Sequence, residues 1–143
     1  MPDAFHLQRF VDAQAQVYDA VRRELRAGCK TSHWMWFIFP QIQGLGHSPT
    51  AQKYAISGRG EAKAYLQHPI LGPRLVECTI LVNEIEGKSA SDIFGYPDEL
   101  KFRSSMTLFA EVSPENPVFV DALDKYFGGE PDPLTLDRLA RHA

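Results

Sequence analysis

Apolar residues recur at spacings of three and four along most of the chain, which is the period of an amphipathic α-helix. The broadest such stripe lies in residues 70–86, and its members step by four, three, four and three: Leu71, Leu75, Cys78, Val82 and Ile85. A stripe this wide predicts a long central helix that other helices surround. No segment shows a convincing alternation of apolar and polar residues, which a half-buried strand would require.

Shorter apolar stripes between prolines, glycines and capping residues predict the other helices. These are residues 5–15, 17–27, 33–39, 49–56, 61–67, 89–94, 97–112, 117–126 and 135–141. Ser48 before Pro49 is typical of a helix start, and Ser89 with Asp92 has the spacing of a capping box. Thr135 is expected to cap the last helix. Several segments are barely one turn, so the sequence predicts an all-α fold of about seven to nine unequal helices. They would form one compact domain, residues 1–143.

Residues 30–48 combine a dense apolar run with polar residues on both sides. The run holds both tryptophans, Trp34 and Trp36, and on a surface it would expose a large apolar patch. It is therefore expected to form either the edge of the core or the floor of a ligand pocket. If Ser32 caps a short helix, the amides at its start and the charge of Lys30 would form an anion site.

A second polar cluster lies in residues 101–109, KFRSSMTLF. Lys101, Ser104 and Ser105 share one helix face at spacings of three and four. Serine and threonine are poor helix formers in mid-helix. Their hydroxyls are therefore expected either to hydrogen-bond a neighbouring helix or to line a pocket.

Glu77 lies beside the apolar stripe of the predicted central helix. A half-buried carboxylate in that position could serve as a general acid or base. Its alternative role is a salt bridge to Arg74 or another basic side chain. Arg74 could instead bind an anionic ligand itself.

Composition narrows the function classes. The formal net charge is −3 and no basic run is present, so bulk nucleic-acid binding is not expected. Cys29 and Cys78 are expected to be free thiols in a reducing cytoplasm.

The N-terminus does not resemble a signal peptide, and no apolar run could span a membrane. No metal-binding motif is found, since Cys29, His33, His47 and Cys78 read as separate residues. Neither a metal nor a cofactor is predicted.

Several blocks together resemble a bacterial family of small all-helical proteins of uncharacterised activity, often labelled "calpastatin". The blocks include RFVDAQ, ELRAGCKTSHWMWFIFPQIQGLGHS, AYLQHPILGPRL, SSMTLF and FGGEPDPLTL, and the likeness spans roughly residues 7–139. It implies a compact multihelical fold. In the order of its polar and helical blocks, including Asp92-Ile93-Phe94-Gly95, the chain is also similar to the NAD- and ADP-ribose-associated domain family. That weaker likeness implies hydrolysis of N-glycosidic bonds, including removal of ADP-ribose from guanine.

We therefore expect a pocket for a nucleotide or ADP-ribose-like ligand between residues 33–39 and 101–109, possible only if Lys30 and Lys101 converge in space. The expected ligand-binding residues are Lys30, Ser32, His33, Trp34, Trp36, Arg74, Lys101, Ser104 and Ser105. Glu77 would activate water if the protein is an N-glycosidic hydrolase. The alternative is a non-catalytic protein–protein interaction module with an exposed aromatic face at residues 34–39. The oligomeric state is left open.

Overall fold

The computed structural model describes residues 3–141, which fold into ten helices and no strand. The helices are α1 (Gln8–Gln14), α2 (Tyr18–Ala27), α3 (Met35–Ile38), α4 (Pro49–Lys53), α5 (Arg59–Gln67), α6 (Leu71–Asn83), α7 (Ala90–Phe94), α8 (Asp98–Val112), α9 (Pro117–Phe127) and α10 (Pro133–Arg141). The prediction of an all-α fold in one compact domain is confirmed. Of the predicted domain, residues 1–2 and 142–143 lie outside the described residues. The helix count exceeds seven to nine because three helices, α3, α4 and α7, have only four or five residues each.

Local capping explains where several helices begin. Ser48 accepts a hydrogen bond from the Ala51 amide at 3.1 Å, with Pro49 at the first helical position of α4. The capping box of α7 forms as predicted, since Ser89 and Asp92 each accept a hydrogen bond from the other's amide.

The start of α10 differs from the expectation. Asp132, not Thr135, is the capping residue. Its Oδ2 accepts from the Thr135 amide at 3.1 Å and from the Thr135 hydroxyl at 2.6 Å. The carboxylate of Asp132, one residue ahead of Pro133, thus accepts the hydrogen bond of a backbone amide that has no partner within the first turn.

The long helix predicted for residues 70–86 forms as α6, and α8 packs against more helices than α6 does. Nine of the fifteen residues of α8 are buried, and it contacts α3, α5, α7, α9 and α10. Within α6, which packs on α2, α5 and α9, six of thirteen residues are buried. The sequence pattern did not indicate how deeply α8 is buried, because α8 contains serines and a threonine, which usually face solvent. Ser104 and Thr107 satisfy their hydroxyls locally by donating to carbonyls one turn back, at 3.1 and 2.9 Å.

Aromatic rings join the end of α3 to α7 and α8. The rings of Phe94 and Phe102 stack with centroids 4.7 Å apart, and Phe39 meets Phe102 edge-to-face at 5.0 Å. Trp34, Met35, Ile38 and Phe39 are all buried, whereas Trp36 and Phe37 are only partly so. The exposed aromatic face expected of an interaction module therefore does not form, because the stretch supplies the core.

The N-terminal helix is tied to the middle of the chain by one charged side chain. Arg9 pairs with the buried carboxylate of Glu61 at 2.8 Å and also donates to the carbonyls of Lys53 and Ala55. An isolated parallel bridge between Ile42 and Ile56 lies beside this network. The Arg9 contacts hold the segment that follows α4, and the bridge joins that segment to the loop that precedes α4.

Gly72 permits the closest approach between two helices. A Cβ at this position would lie 2.1 Å from the carbonyl oxygen of Leu66 and 2.9 Å from its carbon. Backbone atoms at such distances cannot be avoided by rotating a side chain. The first turn of α6 therefore packs directly on the end of α5 only because residue 72 lacks a side chain.

We expect Gly72→Ala to destabilise the protein by about 3 kcal/mol, because overpacking against backbone forces the two helices apart. Thermal unfolding should show a Tm lowered on the order of 10 °C. Gly60→Ala is the matched control. Its Cβ would meet only the ring edge of Phe5 at 3.4 Å, and the change should be neutral or slightly stabilising. Equal Tm values for the two variants would contradict the close-approach explanation.

Candidate functional site

A cleft of about 500 Å³ opens between the loop after α3, the first half of α8 and the start of α10. Its lining residues are Trp36, Gln41, Leu45, Gly46, His47, Ser48, Ala51, Pro97, Leu100, Lys101, Arg103, Ser104, Asp132 and Leu134. The volume lies within the range of small-molecule sites, and the lining mixes apolar walls with a few polar groups. This is where residues 33–39 and 101–109 were expected to face each other.

Lys30 and Lys101 converge, as the pocket hypothesis required. Both bind the carboxylate of Asp98, Lys30 through Oδ2 at 2.8 Å and Lys101 through Oδ1 at 3.3 Å. Each ammonium also lies over an indole ring: Lys30 is 5.2 Å from the ring of Trp34, and Lys101 is 4.8 Å from that of Trp36. The Lys30 side chain is only 7% exposed, against 24% for Lys101. Lys101 lines the cleft, and Lys30 lies behind it.

The hydroxyls of α8 hold the start of α10. The Ser104 hydroxyl shares its one proton between the Leu100 carbonyl and Asp132 Oδ2, each 3.1 Å away, and the Thr107 hydroxyl accepts from the Asp132 amide at 2.8 Å. Arg103 donates to the carbonyls of Glu130 and Pro131 at 3.0 and 3.1 Å. Ser104 thus does both things the sequence left open, since it hydrogen-bonds a neighbouring helix and lines the cleft.

The place that the sequence assigned to an external anion is occupied by Glu24. Its carboxylate accepts from the amides of Thr31 and Ser32, at 2.7 and 2.9 Å, and from the Ser32 hydroxyl at 2.6 Å. Trp34 Nε1 donates to it as well, at 2.9 Å. Ser32 does not cap α3, which begins at Met35 without a side-chain cap. Four donors therefore converge on an anion that belongs to the chain.

The same contacts set the acidity of that group. Burial raises the pKa of Glu24, but the hydrogen bonds outweigh burial and bring the pKa from 4.5 down to about 2. Glu24 is thus ionised throughout the physiological range and fixes both the loop 31–34 and the indole of Trp34.

Three further residues with predicted ligand contacts lie outside the cleft lining. Trp34 is buried with its indole nitrogen bound to Glu24. His33 is exposed. Ser105 is buried in α8, and its hydroxyl has no hydrogen-bond partner within residues 3–141.

Glu77 and Arg74 belong to a separate cluster on α6. The Tyr18 hydroxyl donates to Glu77, whose carboxylate lies 3.5 Å from Arg22. Arg74 lies over the Tyr18 ring at 4.5 Å and donates to Gln14 at 3.2 Å. The salt bridge weighed for Glu77 therefore exists, but to Arg22 instead of Arg74. Burial raises the pKa of the Tyr18 hydroxyl, so it is a hydrogen-bond donor in this cluster.

Glu77 lines a second groove, which is acidic. The groove has a volume of about 700 Å³ on the outer face of α6, with an apolar floor that includes Val76 and Ile80 and a second carboxylate, Glu84. None of the described residues that line it is basic. Glu77 is paired with Arg22, but no basic residue in the described range lines the groove and Glu84 would repel a phosphate, so this groove does not suit the predicted ligand.

The described residues do not form a cluster suited to metal-dependent or thiol chemistry. Across residues 3–141 no group of three or more His, Cys, Asp or Glu side chains could hold a metal ion. Both cysteines are free thiols, Cys29 exposed and Cys78 buried. Burial raises the pKa of the Cys78 thiol to about 12, which disfavours the nucleophilic thiolate. In the same range no helix is long and apolar enough to cross a membrane.

Sequence reasoning gave no site role to several polar residues of this region, among them Gln41, His47, Asp98, Arg103 and Asp132. Gln41 and His47 are polar residues that flank the apolar run within residues 30–48. Asp98 lies at the start of the predicted helix 97–112, and Asp132 lies between two prolines ahead of the last predicted helix. The available signal was an acidic residue directly before or at a helix start, on segments adjoining the predicted pocket.

The fold and the cleft define a single-domain, all-helical protein with a polar and aromatic cleft beside α8. A family model described as "Protein of unknown function (DUF1810)" matches residues 4–139, and the chain belongs to this family. The chain is also similar to the conserved hypothetical protein Rv1873 from Mycobacterium tuberculosis, whose crystal structure is known at 1.38 Å. The two are 59% identical, the TM-score is 0.95, and the match covers 96% of this chain and 99% of that chain.

No curated protein matches the sequence. The prediction of an uncharacterised family is confirmed by the family match and by the solved structure. Neither the family nor the solved relative is described as related to calpastatin or ADP-ribose. Both of those associations therefore stay predictions.

We expect Glu24→Gln to destabilise the protein by about 1–2 kcal/mol, since an amide replaces a carboxylate that accepts four hydrogen bonds while still partly in contact with solvent. The lowered pKa means that the ionised form contributes stability above pH 4.5. That contribution is lost as the pH falls from 4.5 towards 2. Chemical unfolding of both proteins at pH 7, 4 and 2.5 measures the difference.

The exposed Glu111→Gln is the matched control and should leave stability unchanged at pH 7. A stability difference between Glu24→Gln and the wild type that stayed constant from pH 7 to pH 2.5 would contradict this account of the carboxylate.

Proposed function

We propose that the cleft binds a nucleotide or an ADP-ribose-like compound and that the protein hydrolyses the N-glycosidic bond of such a ligand. The observation that carries the proposal is the pairing of Lys101 with Trp36 inside the cleft. An ammonium and an indole ring meet there at 4.8 Å. A nucleotide requires these two groups, a cation for its phosphate and a flat apolar surface for its base.

Charge supports an anionic ligand. Lys101 and Arg103 line the cleft from one helix, against one carboxylate, that of Asp132, among the described lining residues. Lys30, behind Lys101, takes part of the charge of Asp98. Lys101 is therefore only partly neutralised and keeps hydrogen-bonding capacity towards a phosphate.

Shape supports a ligand larger than a free phosphate. About 500 Å³ accommodates a dinucleotide-sized molecule in part or a mononucleotide entirely. The apolar wall of Leu45, Leu100 and Leu134 lies beside polar groups from Gln41, His47 and Ser104. A ligand with a heterocycle at one end and hydroxyls or phosphates at the other matches that distribution.

The interaction module stays an alternative prediction without a specific observation in its favour. Its expected signature was an exposed aromatic stretch, and four residues of that stretch are buried. Trp36, the tryptophan with exposed surface, faces the cleft instead of an open face.

We expect ADP-ribose to raise the Tm of the wild type. At a hundred times its Kd, a ligand stabilises the fold by about 2.7 kcal/mol, or several degrees at this size. Lys101→Ala should weaken binding roughly 10- to 100-fold through loss of a charged hydrogen bond, and Trp36→Ala by a similar factor through loss of stacking. Isothermal titration calorimetry measures both Kd values.

Lys53→Ala provides the matched control, because Lys53 also lies over an aromatic ring, that of Tyr54 at 5.3 Å, but outside the cleft. Its Kd should equal that of the wild type. Adenosine, which lacks phosphate, should bind more weakly than ADP-ribose. No binding of either compound, or binding that Lys101→Ala leaves intact, would contradict the proposal.

A further inference from the structure

Resting on the proposed function, we propose that Asp132 is the catalytic carboxylate of the cleft and that its substrate is an N-ribosyl compound with a planar heterocyclic leaving group. Asp132 would accept the proton of the attacking water. This assignment replaces Glu77 with a residue of the cleft itself.

Position is the first argument. Asp132 is the one described residue with a carboxylate among those lining the cleft that holds Lys101 and Trp36. Glu77 lines the acidic groove of α6 instead, where it is engaged by Tyr18 and Arg22. A general base must come within hydrogen-bond reach of the water that it activates, so a carboxylate outside the cleft cannot serve a ligand bound in it.

The hydrogen-bond pattern of Asp132 leaves one oxygen available. Oδ2 accepts from Ser104 at 3.1 Å and from the amide and hydroxyl of Thr135 at 3.1 and 2.6 Å. Within residues 3–141, neither a hydrogen bond nor a salt bridge involves Oδ1. One oxygen thus anchors the carboxylate, while the other can bind water or the ribose.

The backbone of Asp132 is held in place from three sides. Its amide donates to the Thr107 hydroxyl at 2.8 Å, and Arg103 binds the carbonyls of the two preceding residues. Pro131 and Pro133 restrict the backbone on either side. A carboxylate fixed in this way loses little freedom when a substrate binds, which is what an active-site group requires.

The surroundings of Asp132 indicate the leaving group. Leu100 and Leu134, 48% and 64% exposed, form part of the cleft wall beside it. Together with the indole of Trp36, these large apolar side chains suit the faces of a flat heterocycle, and Lys101, which follows Leu100 on α8, suits a phosphate. The ribosyl–base bond of such a ligand would lie near the available oxygen of Asp132.

The reaction consumes one water. Its oxygen attacks the anomeric carbon of the ribose while the carbon–nitrogen bond breaks, and the bonding electron pair leaves on the nitrogen of the base. Asp132 takes a proton from the water. A guanine nitrogen leaves with the electron pair and takes a proton from solvent, whereas the positively charged nicotinamide of NAD leaves as a neutral molecule and needs none. Asp132 then returns its proton to solvent, so that the products are the free ribose hydroxyl and the neutral leaving group. The carboxylate charge also stabilises the oxocarbenium-like transition state.

The test uses the full chain, with two probes that carry N-ribosyl bonds: NAD and guanosine bearing ADP-ribose on a base nitrogen. Release of nicotinamide from NAD, or of guanosine from the ADP-ribosylated probe, is followed by chromatography, and ADP-ribose affinity is measured separately by calorimetry. Asp132→Asn keeps the shape of the side chain and an oxygen acceptor, and its Tm reports whether α10 stays capped. Asp137→Asn, an exposed residue on the same helix that pairs with Arg141, is the matched control.

We expect Asp132→Asn to bind ADP-ribose within about twofold of the wild-type Kd, while base release from at least one probe falls by at least about 100-fold. Asp137→Asn should match the wild type in both assays. Retained binding with lost turnover would separate a catalytic role from a structural one.

Wild-type turnover in Asp132→Asn would overturn the inference, as would loss of turnover in Glu77→Gln with Asp132→Asn fully active. Binding of ADP-ribose by the wild type without release of base from either probe would overturn it too, and would leave the binding proposal standing. If the wild type does not bind ADP-ribose, the binding proposal fails first and the inference falls with it.

Discussion

The segment that organises this protein is held by a single carboxylate. Glu24, near the end of α2, gathers two loop amides, the Ser32 hydroxyl and the indole of Trp34. An ionised acceptor in such a position is stronger than a neutral one, because each donor meets a full negative charge. The chain thereby turns sharply from α2 into α3, and its densest run of aromatic residues is directed into the core. The direction in which α3 leaves that turn places Trp36 in the lining of the cleft.

A second carboxylate organises the cations. Asp98 lies at the start of α8 and binds Lys30 and Lys101 through its two different oxygens, while each lysine lies over one tryptophan. The arrangement allows a lysine to be almost buried behind the cleft and another to face into it. Neutralising one cation internally leaves the other for an external anion, which is how a protein with net charge −3 can present a local positive site.

Most of the fold could be predicted from the sequence because its signals are local. Helix periods, the Ser48-Pro49 start and the capping box of Ser89 depend only on near neighbours. The deep burial of α8 could not be predicted, because a helix with two serines and a threonine in its middle usually has a face in contact with solvent. Of the candidate site, the sequence indicated Trp36, Lys101 and Ser104, which line one cleft. Glu24, Asp98 and Asp132 were missed because each acts through partners that only the tertiary fold brings near.

The attachment of α10 has a consequence for the dynamics of the cleft. One wall of the cleft is the start of a short C-terminal helix. This start is joined to α8 by side-chain hydrogen bonds through Ser104, Thr107 and Arg103, whereas Leu139 further along α10 is buried in the core. Elements held in this way open at lower free energy than the core and exchange their amide hydrogens by local unfolding. A molecule that bridges α8 and α10 would suppress that opening. Amide protection along α10 would then report occupancy even at residues that never touch the ligand.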